Sequence, residues 1–113
     1  MSISTHVLDT SAGCPADGVT VYLESLTNVE DGRLIGSGTT DIDGRVGDLV
    51  QDPTPITAGT YRLTFETGDY FERAGVSSFH PRVQILFSVR DVDEHYHVPL
   101  LLSPFGYTTY RGS

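Results

Sequence analysis

Four histidines are the first candidates for chemistry in this sequence, because an imidazole titrates near neutral pH and also ligates metal ions. His95 and His97 are separated by one residue in a segment of β-forming residues, and on a strand this spacing places both rings on one face. His6 lies in a second such segment near the amino terminus. A His-x-His pair with a third histidine builds some zinc sites. The same pair also packs or caps strands, so the residues alone leave a metal site and a structural role open.

The common hydrolase and redox motifs are missing. The sequence has no Gly-x-Ser-x-Gly nucleophile motif. Its single cysteine, Cys14, rules out an intramolecular disulfide and any Cys-x-x-Cys site. Cys14 lies in an Ala-Gly-Cys-Pro-Ala turn without a base in the local sequence, which favours a turn residue over a nucleophile. Because the chain contains no lysine, Schiff-base catalysis is excluded.

The chain length and the net charge disfavour several further classes of protein. The 113 residues predict a single domain over residues 1–113. The net charge is -8, from 15 acidic residues against 7 arginines, and this disfavours binding to nucleic acids or anionic membranes. No apolar stretch reaches the roughly 18 residues of a transmembrane helix. The amino-terminal residues lack a signal-peptide pattern, so we expect a cytoplasmic protein.

The elements that must position the histidines are short β-strands. Val19, Val21 and Leu23 alternate with polar residues, as expected for a half-buried antiparallel strand. About eight such segments, separated by Gly, Pro, Asp and Asn, predict an all-β sandwich or barrel. The predicted strands cover residues 4–9, 19–27, 33–40, 45–49, 59–67, 82–89, 95–102 and 107–111.

Turn signals add detail to this prediction. Residues 67–75 begin with a capping-type threonine and close on Gly75, which predicts a short helix of about two turns. Asp43-Gly44 suits a tight hairpin. Gly36 and Gly38 lie inside a predicted strand, where glycine marks a bulge or close packing rather than a phosphate-binding loop.

The carboxyl terminus carries unusual chemistry for a segment that normally frays. The run Tyr107-Thr-Thr-Tyr-Arg-Gly-Ser113 brings an aromatic ring, a guanidinium and a hydroxyl into its last four residues. It follows the apolar run that begins at Val98. From composition alone, an edge strand with a solvated tail is an equally good interpretation.

Four motifs together resemble one family. They are His6-Val-Leu-Asp9, Asp43-Gly44-Arg45, His95-Tyr-His-Val-Pro-Leu-Leu-Leu-Ser-Pro104 and the terminal Tyr-Arg-Gly-Ser113. In these motifs the sequence is similar to the 5-hydroxyisourate hydrolases, the transthyretin-related enzymes of urate breakdown. The resemblance runs from Ser4 to Ser113, and the terminal motif is its most specific part.

The resemblance implies a fold, an assembly and a reaction. The fold would be a transthyretin-like β-sandwich of two four-stranded sheets with one short helix. The assembly would be a homotetramer with its sites at the dimer–dimer interface. The reaction would hydrolyse 5-hydroxyisourate to 2-oxo-4-hydroxy-4-carboxy-5-ureidoimidazoline in purine degradation, without a metal or an organic cofactor.

The resemblance also assigns residues, position by position. It implies that His6, Arg45 and His97 are catalytic, and we expect His97 on the general-base side of the reaction. His6 and Arg45 would also bind the substrate, together with three residues of the terminal motif. Those three are Tyr110, Arg111 and Ser113.

Three other functions fit parts of the sequence. A transthyretin-like carrier would need a channel for a large hydrophobic ligand, whereas His6, Arg45, His97 and Tyr110 are polar or bulky. A zinc-dependent hydrolase would need His6, His95 and His97 to converge on one metal ion. A β-sandwich adhesion module would leave the histidines without a catalytic role.

Overall fold

A computed structural model describes residues 1–27, 32–53 and 55–113. It contains nine strands and one helix, and the longer strands form two sheets. In chain order the elements are β1 Ser2–Asp9, β2 Cys14–Pro15, β3 Thr20–Ser25, β4 Arg33–Thr39, β5 Arg45–Val46, β6 Gly59–Phe65, α1 Thr67–Arg73, β7 Val83–Val89, β8 His95–Leu102 and β9 Tyr107–Thr109. Within these described ranges, no helix is long and apolar enough to cross a membrane.

The two sheets differ in how their strands pair. The first sheet has the order β2-β1-β8-β9, and β5 pairs with β1 beside β2. The second has the order β4-β3-β6-β7. In the first sheet β1 and β8 run parallel, whereas the other strand pairs of the described residues run antiparallel. The long crossover from β1 to β8 therefore joins the two ends of the chain at the centre of one sheet.

The hydrophobic core lies between the two sheets and is built by alternation along each strand. In β3, Val21 and Leu23 are fully buried while Tyr22 is exposed. In β1, Ile3 and Val7 are fully buried, and burial of one such aliphatic side chain contributes about 1.5–3 kcal/mol. Ser4 and His6, which alternate with these residues on β1, consequently point to the outer face of the first sheet, away from the core.

Most predicted strands are confirmed, and one was missed. The sheets contain five and four strands, so the prediction of two four-stranded sheets is one strand short. The additional strand is β2, whose two residues pair with Leu8 and Asp9 after a tight reversal of the chain. A two-residue strand of Cys and Pro has no alternation from which it could be recognised.

The predicted helix is confirmed, with one correction at its start. The helix spans Thr67–Arg73, and Gly75 follows it with φ +70°, the left-handed conformation that glycine adopts easily. Thr67 is not the cap: the N-cap is Glu66, and its side chain makes no capping hydrogen bond. Because Thr67 and Phe71 are buried, packing rather than capping stabilises this short helix.

One of the glycine interpretations is confirmed, and a second needs a correction. A Cβ on Gly36 would lie 2.0 Å from the carbonyl oxygen of Leu49, so only glycine allows this approach of two backbones. At Asp43-Gly44 the turn is tight, since Gly44 has φ +77° and donates its N–H to the carbonyl of Asp41 at 2.8 Å. The predicted hairpin is wrong, because β4 pairs with β3 in the second sheet whereas β5 pairs with β1 in the first. The carboxylate of Asp41 accepts the N–H of Arg45 at 3.0 Å, and this fixes the start of β5.

The carboxylate of Asp9 closes the turn between β1 and β2. Its Oδ1 accepts hydrogen bonds from the Ser11 hydroxyl at 2.8 Å and the Ala12 N–H at 2.9 Å, and its Oδ2 accepts one from the Tyr70 hydroxyl at 2.8 Å. Burial works to raise the pKa of Asp9, but these hydrogen bonds outweigh it and hold the pKa below its ordinary value. The charged carboxylate therefore ties α1 to the first sheet.

We predict that Asp9→Ala lowers the free energy of unfolding by about 2–3 kcal/mol at neutral pH, because it leaves several donors without their acceptor. Since the folded pKa is depressed, this contribution is present above the unfolded pKa of about 3.9 and is lost as the pH falls through the folded pKa. Urea unfolding at pH 7 and in acid measures both effects. Asp17→Ala, at an exposed position, is the matched control. Equal stability of the two variants at pH 7 would contradict this account of Asp9.

Candidate active site

The predicted catalytic residues meet on the outer face of the first sheet, where β5, β1 and β8 lie side by side. His6 of β1 is opposite Arg45 of β5 in the antiparallel pair. Two residues earlier on β1, Ser4 is level with His97 of β8 in the parallel pair. Period-two alternation puts Ser4 and His6 on the same face of β1. We call this group the outer-face cluster: Ser4, His6, Arg45, His95, His97 and Ser113.

His97 is the centre of the outer-face cluster. Its Nδ1 lies 2.8 Å from the Ser4 hydroxyl oxygen. Its ring stacks on that of His95 with centroids 6.4 Å apart and planes 16° from parallel, which confirms that the pair shares one face. A cavity of about 230 Å³ opens beside the two rings, and Arg45 and Ser113 line its other sides. His97 thus presents a half-buried imidazole to a polar cavity.

The carboxyl-terminal tail folds back over His97. Gly112 donates its N–H to the carbonyl oxygen of His97 at 2.8 Å, as an isolated bridge beyond the end of β9. A Cβ on Gly112 would lie 2.6 Å from Cδ2 of the His97 ring, so glycine is needed for this close approach. The bridge brings Ser113 to the same cavity as His97. The tail is therefore held against the site and does not extend as a free end.

Tyr110 and Arg111 lie on the other side of this tail. Both line a second cavity, of about 310 Å³, between β7 and β8. The guanidinium of Arg111 stands 4.6 Å from the centroid of the Tyr96 ring and pairs with Glu94 at 3.0 Å. In the single chain these two residues do not join Arg45 and His97 around the smaller cavity, and their predicted contact with substrate stays a prediction.

The ring contacts of the fourth histidine, His80, are with residues outside the outer-face cluster. Its ring lies between those of Phe79 and Tyr107, at centroid distances of 5.0 and 5.3 Å and nearly perpendicular to both. This arrangement is aromatic packing. His80 serves the structure, whereas the other three histidines stand together on one sheet.

Electrostatics favour a neutral His97. Burial lowers the pKa of His97 below its ordinary value, and the positive charge of Arg45 lowers it further, followed by His6 and His95. A neutral imidazole offers one nitrogen with a free lone pair, which a general base requires. Arg45 is exposed, so its guanidinium is free to meet an anionic or carbonyl oxygen in the cavity. The arrangement suits proton abstraction from water beside a stabilised oxyanion.

The zinc interpretation needs three ligands in one place. Among the residues that the structure describes, no three His, Cys, Asp or Glu side chains are grouped so that they would hold a metal ion. His95 and His97 stack in parallel planes, and each contacts a serine hydroxyl. The geometry of this pair is that of a hydrogen-bonded network.

Sequence reasoning missed Ser4. Its side chain is 8 % exposed and bridges the two histidines of β8. Nothing in its local sequence marks it, since Ser4 and His97 are separated by 93 residues. A prediction that β1 and β8 pair in parallel, in this register, would have been needed to find it.

Comparisons with known proteins agree on the family. A family model described as the HIUase/Transthyretin family matches residues 3–112. A probable 5-hydroxyisourate hydrolase of Caenorhabditis elegans is 49 % identical over 99 % of this chain and 82 % of that protein. The solved 5-hydroxyisourate hydrolase of Klebsiella pneumoniae is 41 % identical with a TM-score of 0.85 and covers all of both chains. Sea bream transthyretin, solved in complex with thyroxine, is 31 % identical with a TM-score of 0.89 over 99 % of this chain and 95 % of the other.

We predict that Arg45→Gln raises the pKa of His97 towards its ordinary value, because it removes a neighbouring positive charge. Burial remains, so the return is partial. The titration of the His97 ring proton, followed by NMR, measures the change. Arg82→Gln is the matched control, because it removes the same charge from an arginine that pairs with Glu66. An unchanged His97 pKa in Arg45→Gln, or the same change in both variants, would contradict this electrostatic coupling.

Proposed function

The chain belongs to the HIUase/Transthyretin family, and on that premise we propose that it is a 5-hydroxyisourate hydrolase whose reaction takes place at the outer-face cluster. It hydrolyses 5-hydroxyisourate in urate degradation, as the names of its near full-length relatives indicate. The observation that carries the location is the meeting of Arg45, His97 and Ser113 around one polar cavity. These side chains suit a small, planar substrate that is rich in oxygen atoms.

His97 is the general base in this proposal. Water adds through its oxygen to a ring carbonyl carbon, and a proton passes from the water to the imidazole. The lowered pKa of His97 supports this role, because it keeps the ring neutral and ready to accept that proton. Arg45 stabilises the negative charge that develops on the carbonyl oxygen through charge-assisted hydrogen bonds.

His6 completes the proton transfers. When the tetrahedral intermediate collapses, the bond from the carbonyl carbon to the ring nitrogen breaks and His6 donates a proton to that nitrogen. The position of His6 opposite Arg45 in the β1–β5 pair supports this assignment, because it stands on the same sheet face as His97. The product is 2-oxo-4-hydroxy-4-carboxy-5-ureidoimidazoline.

The terminal motif binds the substrate in this proposal. Ser113 already lines the cavity beside His97. Tyr110 and Arg111 line the neighbouring cavity, two residues and one residue before Gly112. Their place in the tail supports substrate contacts in an assembly that brings further surfaces to the site. No metal or organic cofactor takes part in the proposed reaction.

The assembly we propose is a homotetramer with its sites at the dimer–dimer interface. Its support is the openness of the outer-face cluster in one chain, where Arg45, His95 and Ser113 are all exposed. Hydrolysis by a positioned water benefits from a closed site, since excluding bulk water strengthens each electrostatic interaction. A second subunit over this sheet face would supply that closure. The cytoplasmic location stays a prediction.

A transthyretin-like carrier remains the alternative, because the sea bream transthyretin structure contains thyroxine and shares the fold. Similarity of fold does not separate the two functions, since function depends on the site. The charged and titratable groups of the outer-face cluster favour a polar substrate. A thyroxine displacement assay beside a turnover assay distinguishes them.

We predict that His97→Ala and Arg45→Ala each lower kcat by about 10²–10⁴-fold, because one removes the base and the other the oxyanion partner. The measurement is the decay of 5-hydroxyisourate, made in situ from urate and urate oxidase. Arg82→Ala is the control, since Arg82 directly precedes β7 of the second sheet and pairs with Glu66. Activity near that of the unmodified protein in either test variant would remove that residue from the mechanism.

Removal of residues 110–113 is predicted to abolish turnover, because Gly112 then no longer bridges to His97 and Ser113 leaves the cavity. Thermal unfolding of the shortened chain checks that the sandwich persists. A folded, shortened chain with full activity would show that the tail is dispensable.

The metal-free reaction is tested by chelation. We expect activity to be unchanged after EDTA treatment, because the proposed base is a neutral imidazole and the proposed oxyanion partner is Arg45. Full loss of activity that zinc restores would overturn the mechanism proposed here in favour of a zinc-dependent hydrolase.

A further inference from the structure

We propose that Ser4 and His95 form a proton relay behind His97: Ser4 fixes the His97 tautomer, and His95 passes the proton to solvent. This inference rests on the proposed function and adds two positioning residues to it. Neither residue needs to touch the substrate, because both act through Nδ1, the ring nitrogen that faces Ser4.

The parallel register of β1 and β8 builds the relay. Ser2 is level with His95 and Ser4 is level with His97, so two serines and two histidines stand in two rows on one sheet face. The Ser4 hydroxyl oxygen lies 2.8 Å from Nδ1 of His97 and 3.1 Å from Nε2 of His95. The Ser2 hydroxyl contacts Nδ1 of His95. Four side chains thus form one continuous hydrogen-bonded chain.

The numbers of donors and acceptors on the four side chains fix the direction in which the hydrogen bonds of the relay donate. A serine hydroxyl has one proton to donate and lone pairs to accept, and a neutral imidazole has one donor nitrogen and one acceptor nitrogen. A general base at Nε2 of His97 requires the proton at Nδ1, which then donates to Ser4. The Ser4 hydroxyl in turn donates to Nε2 of His95, and Nδ1–H of His95 donates to Ser2. Every contact in the chain then has one donor and one acceptor.

The proton transfer balances along this direction. When Nε2 of His97 takes a proton from water, the ring becomes an imidazolium. The Nδ1 proton moves to the Ser4 oxygen while the Ser4 proton moves to Nε2 of His95. His97 is then neutral again, protonated at Nε2, and His95 carries the positive charge. His95 is exposed and releases a proton to solvent, whereas Ser4 is 8 % exposed and has no comparable access.

The charges around His97 favour this outward transfer. Arg45 on β5 and His6 on β1 face His97 from its substrate side and disfavour a positive charge on its ring. Ser113 of the tail lines the cavity shared by His95 and His97. His95 is the first residue of β8, where the sheet face is open to water. The relay moves the proton away from the half-buried ring of His97 to the exposed ring of His95.

The first test measures the tautomer of His97 in the absence of substrate. Long-range ¹H–¹⁵N NMR of the histidine rings, above the pKa of His97, is expected to show Nδ1–H in the unmodified protein and in Ser4→Thr, which keeps the hydroxyl. Ser4→Ala is expected to lose this preference and populate Nε2–H. His95→Ala is expected to keep Nδ1–H, because Ser4 still accepts it. An Nε2–H ring in the unmodified protein, or an unchanged tautomer in Ser4→Ala, would overturn the proposal.

The second test reads proton transfer in turnover. Loss of a hydrogen-bonding partner behind a catalytic group typically costs about 10–100-fold. We expect Ser4→Ala and His95→Ala to lower kcat by about this factor with KM within about twofold, and Ser4→Thr to retain activity. Added imidazole is expected to restore part of the kcat of His95→Ala, because it replaces the missing proton acceptor. A changed KM with unchanged kcat, or no rescue by imidazole, would indicate packing in place of a relay.

The two tests distinguish a failure of the proposed function from a failure of the proposed relay. If the unmodified protein does not turn over 5-hydroxyisourate, the proposed function is wrong, while the tautomer measurement still decides the arrangement of Ser4, His95 and His97. If turnover is normal but the tautomer does not depend on Ser4, the function stands and the relay is wrong.

Discussion

The parallel pairing of β1 with β8 is the constraint on which the rest of the structure depends. It joins segments about 93 residues apart in the sequence and sets Ser4 level with His97. The same strands bury Ile3 and Leu100 on the inner face, so the packing that stabilises the sandwich also fixes the register of the site. A slip of one residue would exchange the two faces, bury the histidines and expose the core residues. The pairing of β1 with β8 therefore sets both the stability of the sandwich and the geometry of the site.

Backbone hydrogen bonds as well as side-chain contacts position the functional groups of the site. Arg45 is positioned by the turn at Gly44 and by the Asp41 carboxylate, and Ser113 by the bridge from Gly112 to His97. Both devices place a polar group at the edge of a rigid sheet rather than on a free loop. This rigidity suits catalysis, because a general base and an oxyanion donor act only when they are held close to the reacting atoms.

The fold itself does not select the function. A transthyretin structure that contains thyroxine and a 5-hydroxyisourate hydrolase both overlay this chain, with TM-scores of 0.89 and 0.85. The functional assignment rests instead on the chemistry of one sheet face, where a guanidinium and imidazoles stand together. On a chain of net charge -8, strand pairing gathers positive or titratable groups from distant parts of the sequence on this face. The residue composition of this one face therefore indicates a function that the net charge of the whole chain does not indicate.

The sequence by itself determined all of the strands except β2, the short helix, the shared face of His95 and His97, and, through its motifs, the family and the substrate. These depend on alternation, turn residues and short motifs, which are local properties of the chain. The tertiary structure decided which strands pair, that Ser4 stands behind His97, and that Arg111 lies over Tyr96 rather than beside Arg45. Such contacts depend on register between distant segments and on the path of the tail, and the packing of the whole sandwich sets both.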